Sequence, residues 1–149
     1  MPVRGTAERP YNIPELKAQD FARYSSGPLK GKSSLVLFYA DWCGHCENYR
    51  SSQTPKQLAE LIKRHPDARK LGFFEFEGST LPDHQKISSQ FFPGKPINSW
   101  PTFALIHVGD DAKASLKFDF VSNQVDRDNA QEQFQALLDF ANKMRSQKK

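Results

Sequence analysis

Cysteine is scarce in this chain: only two of the 149 residues are cysteines, and both lie in the segment Trp42-Cys43-Gly44-His45-Cys46. Two neighbouring thiols exclude the disulfide framework that stabilises small secreted domains. Long apolar runs are also missing. No window approaches the ~18 residues that a membrane helix requires, and the first ten residues lack the apolar stretch of a secretory signal. We therefore expect a soluble protein that does not associate with membranes.

Acidic residues are slightly outnumbered, with 17 against 21 basic residues and a net charge of +4. The excess of Lys and Arg lies near the two ends of the chain, and the aromatic residues lie in strand-like apolar runs rather than beside basic clusters. This distribution argues against nucleic-acid binding. The length fits one domain. Because residues 1–10 are polar and aperiodic, we expect a flexible N-terminal arm followed by a single domain over residues 11–149.

Apolar patterning predicts strands and helices in alternation. The run from Ser34 to Ala40 is unbroken and rich in strand formers, which is typical of a central strand buried on both faces. Pro14 confines the first strand to a sheet edge, and Pro55 predicts a kink or break in the helix that follows Cys43. The predicted strands are 11–16, 34–40, 71–77, 102–108 and 115–120, and the predicted helices are 18–24, 43–64, 82–91 and a last helix capped by Asp128 and Gln131. The last two strands form an antiparallel hairpin, so this order indicates a mixed sheet with helices on both faces.

The two cysteines lie at the junction of the central strand and a helix. Cys43 falls at the helix N-terminus, where unpaired amides and the helix dipole favour a thiolate. Cys46 follows one turn later and can attack a mixed disulfide formed at Cys43. An imidazolium at His45 would stabilise the thiolate and make the pair a stronger oxidant. The motif therefore predicts thiol–disulfide chemistry.

The segment from Phe38 to Cys46 resembles the active-site motif of the thioredoxin superfamily, and most closely that of the catalytic domains of protein disulfide isomerases. Trp100-Pro101-Thr102 resembles the second landmark of that family, a cis-proline loop opposite the cysteines. Residues 13–21 resemble its first strand and helix. The resemblance covers about residues 11–146. It implies an α/β thioredoxin fold, with a mixed five-stranded sheet flanked by about four helices.

The same resemblance implies an activity and a site. The chain would be a protein disulfide isomerase-like thiol–disulfide oxidoreductase, which acts on protein disulfides through a mixed disulfide and uses neither a metal nor an organic cofactor. The catalytic residues would be Cys43, Gly44, His45 and Cys46, and the substrate-binding residues Trp42, Trp100 and Pro101. The partners would be protein thiols or disulfides and a redox partner, which would be glutathione or an oxidase or reductase. We expect the chain to act as a monomer.

The resemblance leaves two compartments open. Similar motifs belong to proteins of the endoplasmic reticulum lumen, although this sequence has neither a signal peptide nor a terminal KDEL-like sequence. A trimmed signal peptide would place the chain in that lumen or in another secretory compartment. Without one, we expect a cytoplasmic protein.

Three features depart from the family pattern. The family commonly has a buried acidic residue five positions before the motif tryptophan, where this chain has Leu37, and this predicts that Cys46 lacks its usual proton acceptor. The helix proline of the family stands five residues after the second cysteine, whereas Pro55 stands nine residues after it. The segment 92–100 before Pro101 is longer than usual and rich in proline and aromatic residues, which predicts an apolar rim for extended substrates.

Other interpretations of the same residues stay open at this point. Cys43 and Cys46 also fit a structural disulfide or half of a zinc site, although His65 and His84 lie far from the close spacing of zinc ligands. These two histidines and His107 fit structural roles. A thioredoxin-like module that binds clients or partners, with weak redox turnover because the usual acid is missing, is the alternative function.

Overall fold

The computed structural model describes residues 9–79, 100–109, 116–120 and 126–146. Within these ranges four strands form one mixed sheet: β1 (Lys32–Tyr39), β2 (Leu71–Glu77), β3 (Thr102–Val108) and β4 (Leu116–Phe120). The strand order is β2-β1-β3-β4. β1 pairs parallel with β2 and antiparallel with β3, and β3 pairs antiparallel with β4. The predicted central strand, mixed sheet and hairpin are thus confirmed.

Helices cover both faces of this sheet, as predicted. The helices are α1 (Ala18–Ala22), α2 (Gly44–Arg50), α3 (Thr54–Arg64) and α4 (Ala130–Ser146), and a 3₁₀ turn spans Ala68–Lys70. On one face, Leu37 of β1 belongs to a core cluster with Leu58 of α3 and Leu137 of α4. On the other face, Phe21 of α1 packs edge to face on Phe76, with ring centroids 4.9 Å apart. Because both faces are covered, every residue of β1 after Lys32 is buried.

The predicted helix over residues 43–64 is two helices. α2 ends at Arg50, and α3 begins at Thr54. Pro55 lies in the first turn of α3, where its missing N–H leaves no helical hydrogen bond unmade. The break expected just before Pro55 is thus confirmed.

The prediction of a fifth strand at residues 11–16 is wrong. The segment lies beside β2 but makes a single isolated bridge, between Glu15 and Glu75. The Leu16 N–H donates to Glu75 O at 2.8 Å, and the Glu75 N–H donates to Pro14 O at 2.9 Å. The next ladder bond would need an N–H on Pro14, which proline lacks. The described sheet therefore has four strands rather than five.

The start of the last helix also differs from the prediction. The side chain of Asn129 accepts a hydrogen bond from the Glu132 N–H at 3.2 Å, so Asn129 caps α4 in place of Asp128. The Glu132 carboxylate accepts from the Asp126 N–H at 2.9 Å. The predicted arm over residues 1–10 lies outside the described residues apart from its last two. The predicted helix at 82–91 and nearly all of the segment 92–100 also lie outside them.

Candidate active site

Cys43 is the N-cap of α2. Its Sγ accepts a hydrogen bond from the Cys46 N–H at 3.2 Å, and its own N–H donates to Ala40 O at 3.0 Å. The sulfur therefore satisfies one of the amides that a helix leaves unpaired at its N-terminus. A negative charge on this sulfur would face the positive end of the helix dipole, although the side chain itself is largely buried.

The two motifs that the sequence places 57 residues apart meet at this sulfur. Cys43 Sγ donates to the carbonyl oxygen of Trp100 at 3.5 Å. The peptide bond between Trp100 and Pro101 is cis. Next to the pair, Trp42 is 61% exposed, and within the described ranges no other large hydrophobic side chain is exposed. Cys43 thus lies between an exposed tryptophan that precedes it in sequence and the backbone of the cis-proline loop.

Cys46 has a different environment from Cys43. Both residues are free thiols, but Cys46 is only 1% exposed. Burial raises the pKa of the Cys46 thiol well above its ordinary value, and a hydrogen bond with Cys43 raises it further. A backbone hydrogen bond with Ala40 and the charge of Arg50 oppose this increase. The helix thus presents one sulfur at its end and holds a protonated thiol one turn behind it.

Solved structures of other proteins share the fold of this chain. The Trx4 domain of ERdj5 has 23% sequence identity and a TM-score of 0.57, and the match covers 89% of this chain and 96% of that domain. Form II of ERdj5 gives a TM-score of 0.61 at 20% identity and matches 93% of this chain, which spans only 16% of that longer protein. Chloroplastic thioredoxin z gives 0.52 at 15% identity, over 91% of this chain and 99% of that one. The chain has a thioredoxin fold. Comparisons with models of protein families and with curated proteins give no match.

Within the thioredoxin fold, Glu77 holds the loop that leads to Cys43. Its carboxylate is buried at the end of β2 and accepts the Asp41 N–H at 2.8 Å. It also accepts the N–H and the hydroxyl of Ser79, at 2.7 and 2.9 Å. One carboxylate therefore joins the turns that follow β1 and β2. This places the segment before Trp42 and Cys43 at a fixed position over the end of the sheet.

A buried ion pair lies beneath the same helix. Arg50 of α2 donates two hydrogen bonds to the Glu75 carboxylate of β2, from Nε at 3.0 Å and from Nη2 at 2.7 Å. The guanidinium carbon also lies 3.8 Å from the ring centroid of Tyr39. The Arg50 and Glu75 side chains are 11% and 4% exposed. Glu75 stands opposite Leu37 in the parallel register of β1 and β2, so the two side chains point to the same face of the sheet.

The remaining residues of the predicted site are placed as follows. Gly44 and His45 are both exposed at the start of α2, and no atom lies within 4 Å of the position that a Cβ of Gly44 would take. His45 lines a depression of about 160 Å³ together with Arg127 and Asp128. The space in front of the first helical turn is therefore open.

The other described histidines lie apart from the cysteines. His107 Nδ1 is 2.8 Å from Ser33 Oγ, and His65 accepts the Asp67 N–H at 3.1 Å. Both line a cavity of about 390 Å³ near the start of β1, at the opposite end of that strand from the cysteines. His84 falls outside the described residues. In the parts of the chain that are described, no group of three or more His, Cys, Asp or Glu side chains could hold a metal ion, and no helix there has the length and apolar character to cross a membrane.

Sequence reasoning missed three polar residues of this site, namely Arg50, Glu75 and Glu77. The sequence predicted only a strand at residues 71–77, and nothing in its pattern indicated that Glu75 and Glu77 would both be buried. One signal was available. Arg50 follows Cys46 by four residues, which places the two side chains on one side of a helix.

Proposed function

We propose that this protein is a thiol–disulfide oxidoreductase that acts on protein disulfides through Cys43 and Cys46, with the specificity of a protein disulfide isomerase-like enzyme. The observation that carries the proposal is the position of Cys43 Sγ, which caps α2 and lies 3.5 Å from the carbonyl oxygen before the cis-proline. Cys46 stands one turn behind it as a buried thiol. The thioredoxin fold of the ERdj5 domain and of thioredoxin z supports this assignment.

In the first step of the proposed reaction, the Cys43 thiolate attacks one sulfur of a substrate disulfide. The substrate S–S bond breaks while a Cys43–substrate disulfide forms, and the other substrate sulfur leaves as a thiolate that takes up a proton. The α2 amides that stabilise a charge on Cys43 favour the attacking thiolate. No cofactor is needed, because both electrons come from the dithiol.

In the second step, Cys46 loses its proton and its thiolate attacks the Cys43 sulfur. The mixed disulfide breaks, the second substrate sulfur leaves and is protonated, and a Cys43–Cys46 disulfide remains. The substrate has then gained two electrons and the enzyme has lost two. A dithiol or the glutathione pool would restore the reduced pair, and the reverse sequence of steps would oxidise a substrate dithiol.

The open surface around Cys43 fits an extended protein segment. Trp42 supplies an exposed aromatic face, and the position of a Cβ on Gly44 opens on free space. In the proposal, the substrate backbone passes beside Trp100 and Pro101, the other two predicted binding residues. Aromatic side chains at such positions contribute large contact area to protein recognition.

Trapping of the intermediate tests this function. Cys46→Ser removes the resolving thiol, so a disulfide-containing protein should stay attached to Cys43 and appear as a covalent adduct in nonreducing electrophoresis and mass spectrometry. Cys43→Ser is the matched control and should form no adduct. An adduct with Cys43→Ser instead would reverse the roles of the two cysteines. No adduct with either variant, together with noncovalent binding of the unfolded protein, would favour the client-binding module.

We further propose that His45 raises the reduction potential of the pair by stabilising the Cys43 thiolate through its imidazolium charge. His45→Pro should therefore lower the reduction potential by ~30 mV or more, which corresponds to about tenfold in the thiol–disulfide equilibrium. The measurement is redox titration against glutathione, with His45→Gln as a polar, uncharged control that should also lower it. An unchanged potential in both variants would contradict an electrostatic role for the imidazole.

A further inference from the structure

We propose that the buried Arg50–Glu75 ion pair controls proton loss from Cys46, with Arg50 favouring the thiolate and Glu75 limiting that effect. The inference gives Cys46 a charge partner other than the expected acid, whose position is occupied by Leu37. Its importance for turnover rests on the function proposed above. Neither residue touches the reacting sulfurs in the described contacts, so both are positioning residues rather than catalytic ones.

The geometry fixes Arg50 in one orientation. Its guanidinium is held by two hydrogen bonds to Glu75 and stacks on Tyr39, at the distances given above. A third carboxylate contact comes from Glu47, whose Oε2 lies 3.7 Å from Arg50 Nη1. A bidentate pair of this kind is more rigid than a single ionic contact. The positive charge therefore has a defined place under α2.

Cys46 lies on the same side of α2 as Arg50. The two residues are four apart on α2, and side chains with this spacing are neighbours on a helix surface, with Cβ atoms about 6 Å apart. Both side chains are buried, so solvent screens their interaction weakly. The positive charge of Arg50 opposes the burial that raises the Cys46 pKa. Removing the cation should make the thiolate harder to form, and removing its counter-charge should make it easier.

The ionisation states of the pair follow from their contacts. Burial works against the charge of Arg50, but the hydrogen bonds and charge of Glu75 outweigh it, and the Arg50 pKa is raised. Burial raises the Glu75 pKa from its ordinary value near 4.5, while Arg50 opposes that increase. Burial and the Arg50 charge thus act in opposite directions on the Glu75 carboxylate.

Other titratable groups surround the pair on every side. They are Cys43, Glu47 and Tyr49 on α2 and its cap, Tyr39 and Asp41 at the end of β1, and Arg9 and Glu15 in the N-terminal segment. Burial raises the pKa of both tyrosines, so they stay neutral at physiological pH. Arg9 and Glu47 form an ion pair at 3.1 Å, and Glu47 also lies 3.7 Å from Arg50. Among these groups, Arg50 and Glu75 are the two that we propose to substitute, because loss of either charge has a defined expected direction for formation of the Cys46 thiolate.

The reaction step affected is the resolution of the mixed disulfide. The proton of Cys46 passes to solvent, the thiolate forms a bond to the Cys43 sulfur, and the substrate sulfur leaves with the electron pair of the broken bond and then takes up a proton. Below the pKa of Cys46, each unit of change in that pKa alters the thiolate fraction about tenfold. The rate of this step should follow the thiolate fraction. The change in rate should be somewhat smaller than the change in thiolate fraction, because a thiolate becomes a weaker nucleophile as its pKa falls.

The test measures Cys46 directly, in a Cys43→Ser background where it is the only cysteine of the chain. The Cβ chemical shift of ¹³C-labelled Cys46 is followed against pH. Glu75→Gln keeps an oxygen that accepts from Arg50 but removes the charge, and it should lower the titration midpoint. Arg50→Met should raise the midpoint. Arg50→Lys keeps the positive charge, so its midpoint should lie close to that of the Cys43→Ser background. Arg64→Met removes the same charge at the exposed end of α3 and should leave the midpoint unchanged.

Rapid-mixing kinetics on the same substitutions, with both cysteines present, should show the matching rates. At pH 7, mixed-disulfide decay should slow about tenfold in Arg50→Met and quicken severalfold in Glu75→Gln. Shifts of the midpoint in the same direction for both variants, or no larger than that of Arg64→Met, would overturn the inference. If Arg50→Met does not fold, Glu75→Gln still decides the sign, because a lower midpoint supports the inference and an unchanged or higher midpoint overturns it. Opposite midpoint shifts in a chain that forms no Cys43 adduct would retain the inference and reject the proposed function.

Discussion

At the scale of single residues, the two cysteines show how one chemical group acquires two properties. Cys43 and Cys46 are three positions apart and both belong to the buried core, yet Cys43 Sγ caps α2 whereas Cys46 lies one turn inside the helix and is only 1% exposed. The amides at the helix end favour charge on the first sulfur, whereas burial opposes charge on the second. The order of events in the proposed reaction, attack by Cys43 and then resolution by Cys46, follows from this difference.

The pH dependence of the resolving step is the first residue-scale prediction. Because burial raises the pKa of Cys46 above that of an ordinary thiol, its thiolate fraction should rise about tenfold per pH unit across the neutral range and continue to rise above pH 8.5, where an ordinary thiol levels off. Decay of a preformed mixed disulfide, measured by acid quench between pH 6 and 9.5, should follow this slope. A plateau near pH 8 would show that Cys46 titrates as an ordinary thiol.

The sequence predicts the cysteines and the cis-proline loop because their chemistry depends on a local pattern. It does not predict Arg50 and Glu75 because their pairing depends on the register of two strands and on the position of a helix above them. A glutamate within an alternating strand has the same local signature whether its face is exposed or covered. Whether such a glutamate is buried depends on the helices and segments that cover its face, and these are remote in sequence.

At the scale of elements, the start of α4 provides a test of local structure. Asn129→Ala removes the side-chain oxygen that accepts the Glu132 N–H and should lower the free energy of unfolding by about 1 kcal/mol. Asp128→Ala changes the exposed neighbouring residue and should change stability by less than ~0.5 kcal/mol. Urea denaturation followed by circular dichroism gives both values. A larger loss for Asp128→Ala would reinstate the cap that the sequence suggested.

In the described residues, the element order from residue 18 onward agrees with the prediction because strand and helix periodicities differ, and because Pro55 marks a helix boundary by its own backbone chemistry. The first segment is predicted less well. Residues 11–16 have the composition of an edge strand, but a strand also needs successive ladder bonds, and Pro14 cannot supply the next one. Composition indicates the strand propensity of each residue. The length of a strand depends instead on how many of its backbone groups find hydrogen-bond partners on the neighbouring strand.

At the scale of the whole molecule, the site is assembled from distant parts of the chain. α2 supplies the sulfurs, the start of β3 supplies the cis-proline, and the end of β2 supplies the carboxylate that holds the loop before Cys43. The sheet is the rigid base for all three. The proposed substrate surface therefore lies at one end of the sheet, and its exposed aromatic residue is Trp42.

We predict that Trp42→Ala weakens the reaction with protein disulfides more than the reaction with small ones. An extended protein segment would cover the indole, whereas a small disulfide reaches only the sulfur, and loss of such an aromatic contact commonly costs more than ~1 kcal/mol, or about fivefold or more in KM. Steady-state rates with a disulfide-containing protein and with oxidised glutathione make the comparison, and Trp42→Phe should fall between. Equal losses for both substrates would limit the indole to a packing role.

The position of the indole rings also has an optical consequence. The chain contains two tryptophans; Trp42 adjoins Cys43 in sequence, and the carbonyl of Trp100 faces the Cys43 sulfur. The intrinsic indole fluorescence of the folded protein therefore comes from two residues that adjoin Cys43, one in sequence and one through its backbone. A disulfide quenches nearby indole emission more strongly than two thiols do, so the emitted light reports the oxidation state of the pair without a label.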